Sequence, residues 1–149
     1  MTDLRRELIG KEDAGWAGFR SLIDPLTPEQ LTTDGYYPDW SIKDLMAHLG
    51  AWMAECGQIL QQRRMDTYRK WDRDVDRLNA EWHSIWREVE LRVVRAQLMS
   101  ARARMLEEWG RLPQEYVGGI AEEWFLESGP GHYEEHLPRL REWVEEVSA

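Results

Sequence analysis

Three of the four histidines in this chain have the spacing that a metal centre would need. His132 and His136 stand four residues apart in Gly131-His132-Tyr133-Glu134-Glu135-His136-Leu137-Pro138. On a helix that interval puts both imidazoles on one face, with Cβ atoms about 6 Å apart, so they can grip one ion. His48 lies far upstream in a second strongly helical stretch, Trp40 to Trp52. Brought in from a facing helix, it would complete a three-histidine site with positions left open for water or substrate. A lone inward histidine more often packs and hydrogen-bonds a neighbour, and two histidines four apart arise by chance. The case strengthens because all three fall on inner or near-inner faces of two elements that a bundle can bring together. His83 follows Trp82, off the stripe of Leu78, Trp82 and Ile85, and reads as a surface residue.

Other residues near these positions could serve such a site. Glu55 is one heptad beyond His48; a carboxylate there could orient an imidazole or take a proton, although such a glutamate is more often simply solvated. Trp52 and Tyr133 join it as candidate substrate-pocket residues. Tyr133 either donates a hydrogen bond into the site or faces a neighbouring helix. Pro138, two residues after His136, removes the backbone bond to the Glu134 carbonyl and favours a kink that could aim the two histidines. Cys56 falls on an apolar stripe and reads as a small core residue. No glycine-rich phosphate loop and no Ser-His-Asp arrangement is present.

The elements that must position these residues are helical. Residues 3 to 23 carry Leu4, Leu8, Gly15, Phe19 and Leu22 on one face, widened by Ile9, Trp16 and Ile23. Pro25 and Pro28 end that helix, and residues 24 to 40 read as a loop. Ser41-Ile42-Lys43-Asp44 resembles a capping box that starts a helix running to about residue 64. Its inner side is Ile42, Leu45, Met46, Leu49, Met53, Cys56 and Leu60. After a charged connection over 65 to 74, a long helix is predicted over 75 to 109. Its stripe is Leu78, Trp82, Ile85, Val89, Val93, Ala96, Met99, Ala103 and Leu106. A shorter segment over 120 to 126 and a break at 128 to 131 precede a last helix over 132 to 147, with Leu137, Leu140, Trp143, Val144 and Val147 inward. No strand pattern, internal repeat or low-complexity tract appears. Four long amphipathic helices predict an all-α four-helix bundle, spanning 1 to 149 as one domain.

Composition bounds the partners. At 149 residues the chain can bury a real core, and 42% apolar with 32% charged residues suits a soluble globular protein. The net charge of -9 repels duplex DNA and anionic membranes at long range, so neither nucleic acid nor a membrane is expected as a partner. One cysteine permits no intrachain disulfide, which fits a cytoplasmic location. The charged start, Met1-Thr2-Asp3-Leu4-Arg5-Arg6-Glu7, argues against a signal peptide, and no apolar run is long enough to span a bilayer. Nine tryptophans offer large apolar area and aromatic walls for a pocket.

Two stretches resemble a known family. Trp40-Ser41-Ile42-Lys43-Asp44-Leu45-Met46-Ala47-His48-Leu49 resembles the WSxKDxxxH start of the second helix in the DinB-like superfamily. His132-Tyr133-Glu134-Glu135-His136-Leu137-Pro138 resembles its C-terminal HYxxHxP segment. The middle of the chain, from Leu78-Asn79-Ala80-Glu81 to Arg102-Ala103-Arg104-Met105-Leu106, is similar to the ClbS/DfsB branch. The resemblance implies a four-helix bundle, often a homodimer, with a divalent metal held by His48, His132 and His136. It also implies a choice of chemistries. The superfamily includes metal-dependent thiol S-transferases that use bacillithiol or mycothiol, and maleylpyruvate isomerases, while some ClbS-like members protect against a genotoxic natural product.

These observations lead to an expected metal-dependent enzyme acting on a small electrophile. Zn²⁺ or Ni²⁺ would be the ion, since imidazole suits several first-row metals. Its open position would take water or a low-molecular-weight thiol co-substrate, giving hydrolysis or thiol S-transfer. The rivals are a non-catalytic protein that sequesters a toxic small molecule between aromatic walls such as Trp40, Trp52 and Trp124, and a stress-response dimer with a vestigial site.

Overall fold

The computed structural model describes residues 3–149; Met1 and Thr2, part of the charged start read above, lie outside the described residues. Each of the first four helices begins at a side chain that satisfies a free backbone N–H. Asp3 accepts from Arg5 N–H at the start of α1 (Leu4–Ile23). Thr27 and Gln30 form a capping box on α2 (Pro28–Thr32), a short helix inside the stretch expected to be loop. Ser41 and Asp44 form the predicted capping box on α3 (Ile42–Arg64), with asparate replacing the longer glutamate or glutamine. Asp74 caps α4 (Val75–Trp86). The chain continues through α5 (Leu91–Arg111), a single 3-10 turn at Gln114–Tyr116, α6 (Ile120–Ser128) and α7 (Pro130–Ser148). Among the described residues there is no strand, only an isolated bridge between Tyr37 and Trp40.

The long helices form a bundle of two pairs. α3 packs along α5, and α1 packs along α7. α6 touches both α3 and α7 and so joins the pairs, whereas α3 and α7 pack little on each other directly. α3 and α5 approach closely at Gly50, where a Cβ would stand 3.2 Å from the Leu98 Cα. The whole predicted inner side of α3, from Ile42 to Leu60, is buried.

The region 75–111 departs from expectation. It is two helices, not one, separated by a turn at residues 87–90 that contains neither glycine nor proline. Val89 N–H bonds the Trp86 carbonyl, and Val93 and Val94 N–H both bond the Glu90 carbonyl, so a new helix starts in a new phase. The buried stripe of α5 is Val94, Leu98, Ala101, Met105 and Trp109, while the expected Ile85, Val93 and Met99 are exposed. A turn that interrupts a helix resets which residues share a face, and a heptad extrapolated across it points the wrong way.

The stripe of α1 holds a charge. Glu12 is fully buried and accepts two bonds from the Arg102 guanidinium, at 2.6 and 3.0 Å to one oxygen, plus 2.7 Å from the Tyr133 hydroxyl. Arg102 comes from α5 and Tyr133 from α7, so one carboxylate ties three helices together. Its hydrogen bonds offset the desolvation cost of burying a carboxylate.

Candidate metal centre

His48 projects from the second turn of α3 and His132 and His136 from the first turns of α7. The structure brings all three together: ring centroids are 5.1 Å apart for His48–His132, 5.3 Å for His48–His136 and 5.7 Å for His132–His136. One ring nitrogen from each lies within 4.8 Å of the other two. A tetrahedral centre with metal–nitrogen bonds of about 2.0–2.1 Å separates its nitrogens by roughly 3.4 Å. Small side-chain rotations would close that difference.

The break before α7 orients His132. Because α6 ends at Ser128 and α7 begins anew at Pro130, the His132 backbone N–H bonds Gly129 at 3.0 Å. The Ser128 carbonyl is thereby left for the His132 imidazole, whose Nδ1 lies 3.1 Å away. A carbonyl can only accept, so Nδ1 carries the proton and the Nε2 lone pair is free. His136 Nδ1 lies 2.8 Å from the Tyr36 hydroxyl, and its Nε2 is buried with no hydrogen-bond partner among the described residues. Tyr36 itself is fully buried and its loop is pinned from α7: Arg139 donates to the carbonyls of Gly35 and Tyr36. Gly35, at φ 138, is a conformation for glycine, and a Cβ there would overlap the Trp143 ring. Burial pushes the Tyr36 phenol well above its ordinary range, with Tyr37 adding to the effect, so the phenol keeps its proton at neutral pH.

The electrostatics favour neutral imidazoles. Burial, reinforced by His132 and His136, pulls His48 down to about 3. Burial beside His136 pulls His132 down to about 4, against the opposing Ser128 carbonyl, and burial also lowers His136. Near pH 7 all three present lone pairs and no charge, as ligands to a divalent ion must. An orphaned buried Nε2, a backbone-held partner and a third neutral imidazole fit such an ion. The fourth histidine stays apart. His83 is not the surface residue expected: its side chain is 18% exposed, it stacks on Trp40 at 4.5 Å, and its Nε2 lies 3.7 Å from Asp44. The face of Trp40 is occupied by His83 while its ring also meets His48 edge-on at 5.6 Å, so His83 backs the residue that backs a candidate ligand.

A groove of about 750 Å³ opens beside the cluster, reached by His48 and His132 and walled by Trp52, Trp71 and Trp124. Trp52 lines it, its indole N–H donated to Asn79 at 2.7 Å. Glu55 does not line it; its carboxylate accepts from the Trp71 indole at 2.9 Å and holds that wall in place. Tyr133 is not brought to the groove either. It turns into the core to reach Glu12, because the residue after His132 on a helix is rotated about 100° from it. Trp71 escaped the sequence reading because it sits in the charged connection at 65–74; the one available signal was an indole within reach of an otherwise solvated Glu55. Cys56 is fully buried, and burial pushes its thiol up to about 12, so it supplies no nucleophile. α7 continues through Pro138 without ending.

A family model described as the mycothiol maleylpyruvate isomerase N-terminal domain matches residues 13–131. That span includes His48 and most of the groove and stops just before His132, so the grouping of the C-terminal pair with His48 rests on the geometry above. No curated protein matches. No solved structure matches either. The matched span covers most of the chain, which therefore belongs to the mycothiol maleylpyruvate isomerase N-terminal domain family, within the DinB-like superfamily.

Proposed function

We propose that this chain, as one domain over 1–149, is a metal-dependent enzyme that joins a small electrophile to a low-molecular-weight thiol. One divalent ion, Zn²⁺ or Ni²⁺, is held by His48, His132 and His136. The observation that supports this reading best is the convergence of three neutral imidazoles beside a tryptophan-walled groove. A divalent ion bound there supplies Lewis acidity that brings the pKa of a thiol or water toward neutrality. The chain's own residues do the rest. The Ser128 carbonyl and the Tyr36 hydroxyl fix the α7 imidazoles, Trp40 backs His48, and Trp52 and Trp124 exclude water from the face where the electrophile rests. The thiol in the family's description is mycothiol, and we carry a thiol of that class to this chain as part of the proposal. The same reading takes the working unit to be a cytoplasmic homodimer.

The test is turnover of an alkylating model electrophile by holo and chelated protein, with and without added thiol. Turnover that needs both metal and thiol is the expected result. Equal rates for holo and chelated protein would discard the metal mechanism, and a rate that needs metal but ignores thiol would indicate hydrolysis. The three-tryptophan wall favours one second reading, a self-protection protein of the ClbS/DfsB kind that sequesters its ligand without turnover. Tight stoichiometric binding with no product would select it.

A further inference from the structure

The wall of the groove has a chemistry of its own. Trp52, Trp71 and Trp124 pack mutually, with centroids 5.8 Å apart for Trp52–Trp71, 6.3 Å for Trp52–Trp124 and 5.2 Å for Trp71–Trp124. The indole N–H of Trp52 is taken by Asn79 and that of Trp71 by Glu55. Those two rings therefore offer the groove π surface and no hydrogen-bond donor. Among the described residues, the acidic and basic side chains that line it are Asp76, Glu127 and Glu135 against one lysine, Lys70, and all four are exposed. Aromatic faces carry negative quadrupole density and attract cations, and an acidic rim over a low-dielectric wall focuses a field of the same sign. The net charge of -9 acts in the same direction at longer range. A carboxylate, such as that of the maleylpyruvate in the family's name, would meet three like charges and one lysine.

We propose that this groove recognises a planar aromatic cation, held by its tryptophan faces and its acidic rim. The inference rests on the proposed function for what becomes of that molecule, but not for its binding. A volume of about 750 Å³ holds a molecule of one to three rings. Stacking on a tryptophan face selects planarity, and the acidic rim selects charge.

The test is calorimetric titration of the full chain after chelation, at low ionic strength, with three probes: phenyltrimethylammonium, cyclohexyltrimethylammonium and benzoate. Chelation keeps benzoate from ligating an ion directly. Phenyltrimethylammonium should bind about tenfold more tightly than benzoate, lose affinity as salt is added, and exceed its cyclohexyl analogue several-fold. The double variant Asp76→Asn, Glu127→Gln changes only exposed side chains; it should weaken the cation and strengthen benzoate. Trp124→Leu should narrow the preference for the planar ring. Benzoate binding as tightly as the aromatic cation, a cyclohexyl probe equal to the phenyl one, or an order of affinities unmoved by the double variant would each overturn the proposal. Metal-independent turnover with the cation preference intact would overturn the metal mechanism alone, so the two failures are distinguishable.

Discussion

Tyr36→Phe removes one hydroxyl and leaves a ring of nearly the same shape against Tyr37 and His136. That hydroxyl lies 2.8 Å from His136 Nδ1 and is the ring's one hydrogen-bond partner among the described residues, where Nε2 has none. Without it, Nδ1 is buried and unsatisfied, and nothing fixes the tautomer that aims Nε2 at His48 and His132. Loss of such an outer partner typically costs 10- to 100-fold in metal affinity. That factor corresponds to about 1.4–2.7 kcal/mol, similar to the ~1–3 kcal/mol for stranding a buried polar group. The assay is competition for Zn²⁺ against a chromophoric chelator of known affinity. Tyr37→Phe, at an exposed neighbouring ring, serves as the control, and circular dichroism confirms that both variants stay folded. A Tyr36→Phe affinity within twofold of the parent, with Tyr37→Phe equally unaffected, would refute the orienting role of this hydrogen bond.

Three further outcomes follow from the geometry. His132→Ala and His136→Ala should each lose most bound metal, while His83→Ala should lose little, since its ring is separated from the cluster by Trp40; equal loss from all three, read by elemental analysis of untagged protein, would show that the ligands are misassigned. In the metal-free protein the cluster histidines sit below their unfolded value near 6.5, so the unfolded state binds more protons and stability falls as pH drops below about 6.5. The slope is up to about 1.4 kcal/mol per pH unit for each histidine, continuing toward pH 4 for His132 and pH 3 for His48. Urea midpoints measured from pH 7 to 5 that stay flat would contradict it. Glu12→Ala leaves the Arg102 guanidinium and the Tyr133 hydroxyl without their shared acceptor and should cost about 3 kcal/mol of stability, measured by urea unfolding.

Much of this architecture is legible in the sequence wherever one helix carries its own information. The apolar stripe and capping box of α3 are local, and so was the four-residue spacing on α7. What escaped was set by distant partners. Glu12 looks like a surface charge until Arg102, on another helix, arrives to pair with it. His83 looks exposed until Trp40, in a loop, stacks on it. Tyr36 gives no signal at all, because its role depends on a loop folding over His136. The α5 stripe departs from the sequence pattern for a different reason: the turn at 87–90 has no breaker residue to mark the reset in helical phase.

The sparse direct packing between α3 and α7 has a mechanical consequence. The histidines sit on the two helix pairs that α6 and a few side chains join, so their spacing measures how one pair is registered against the other. A slide of one residue's rise, about 1.5 Å along a helix, is large against coordination bonds that tolerate about 0.2 Å. The cluster is therefore a gauge of interhelical alignment. Heat, denaturant or a substitution far from the groove should release the ion while the helices remain intact, and ion release should precede loss of helicity in any slow unfolding ramp.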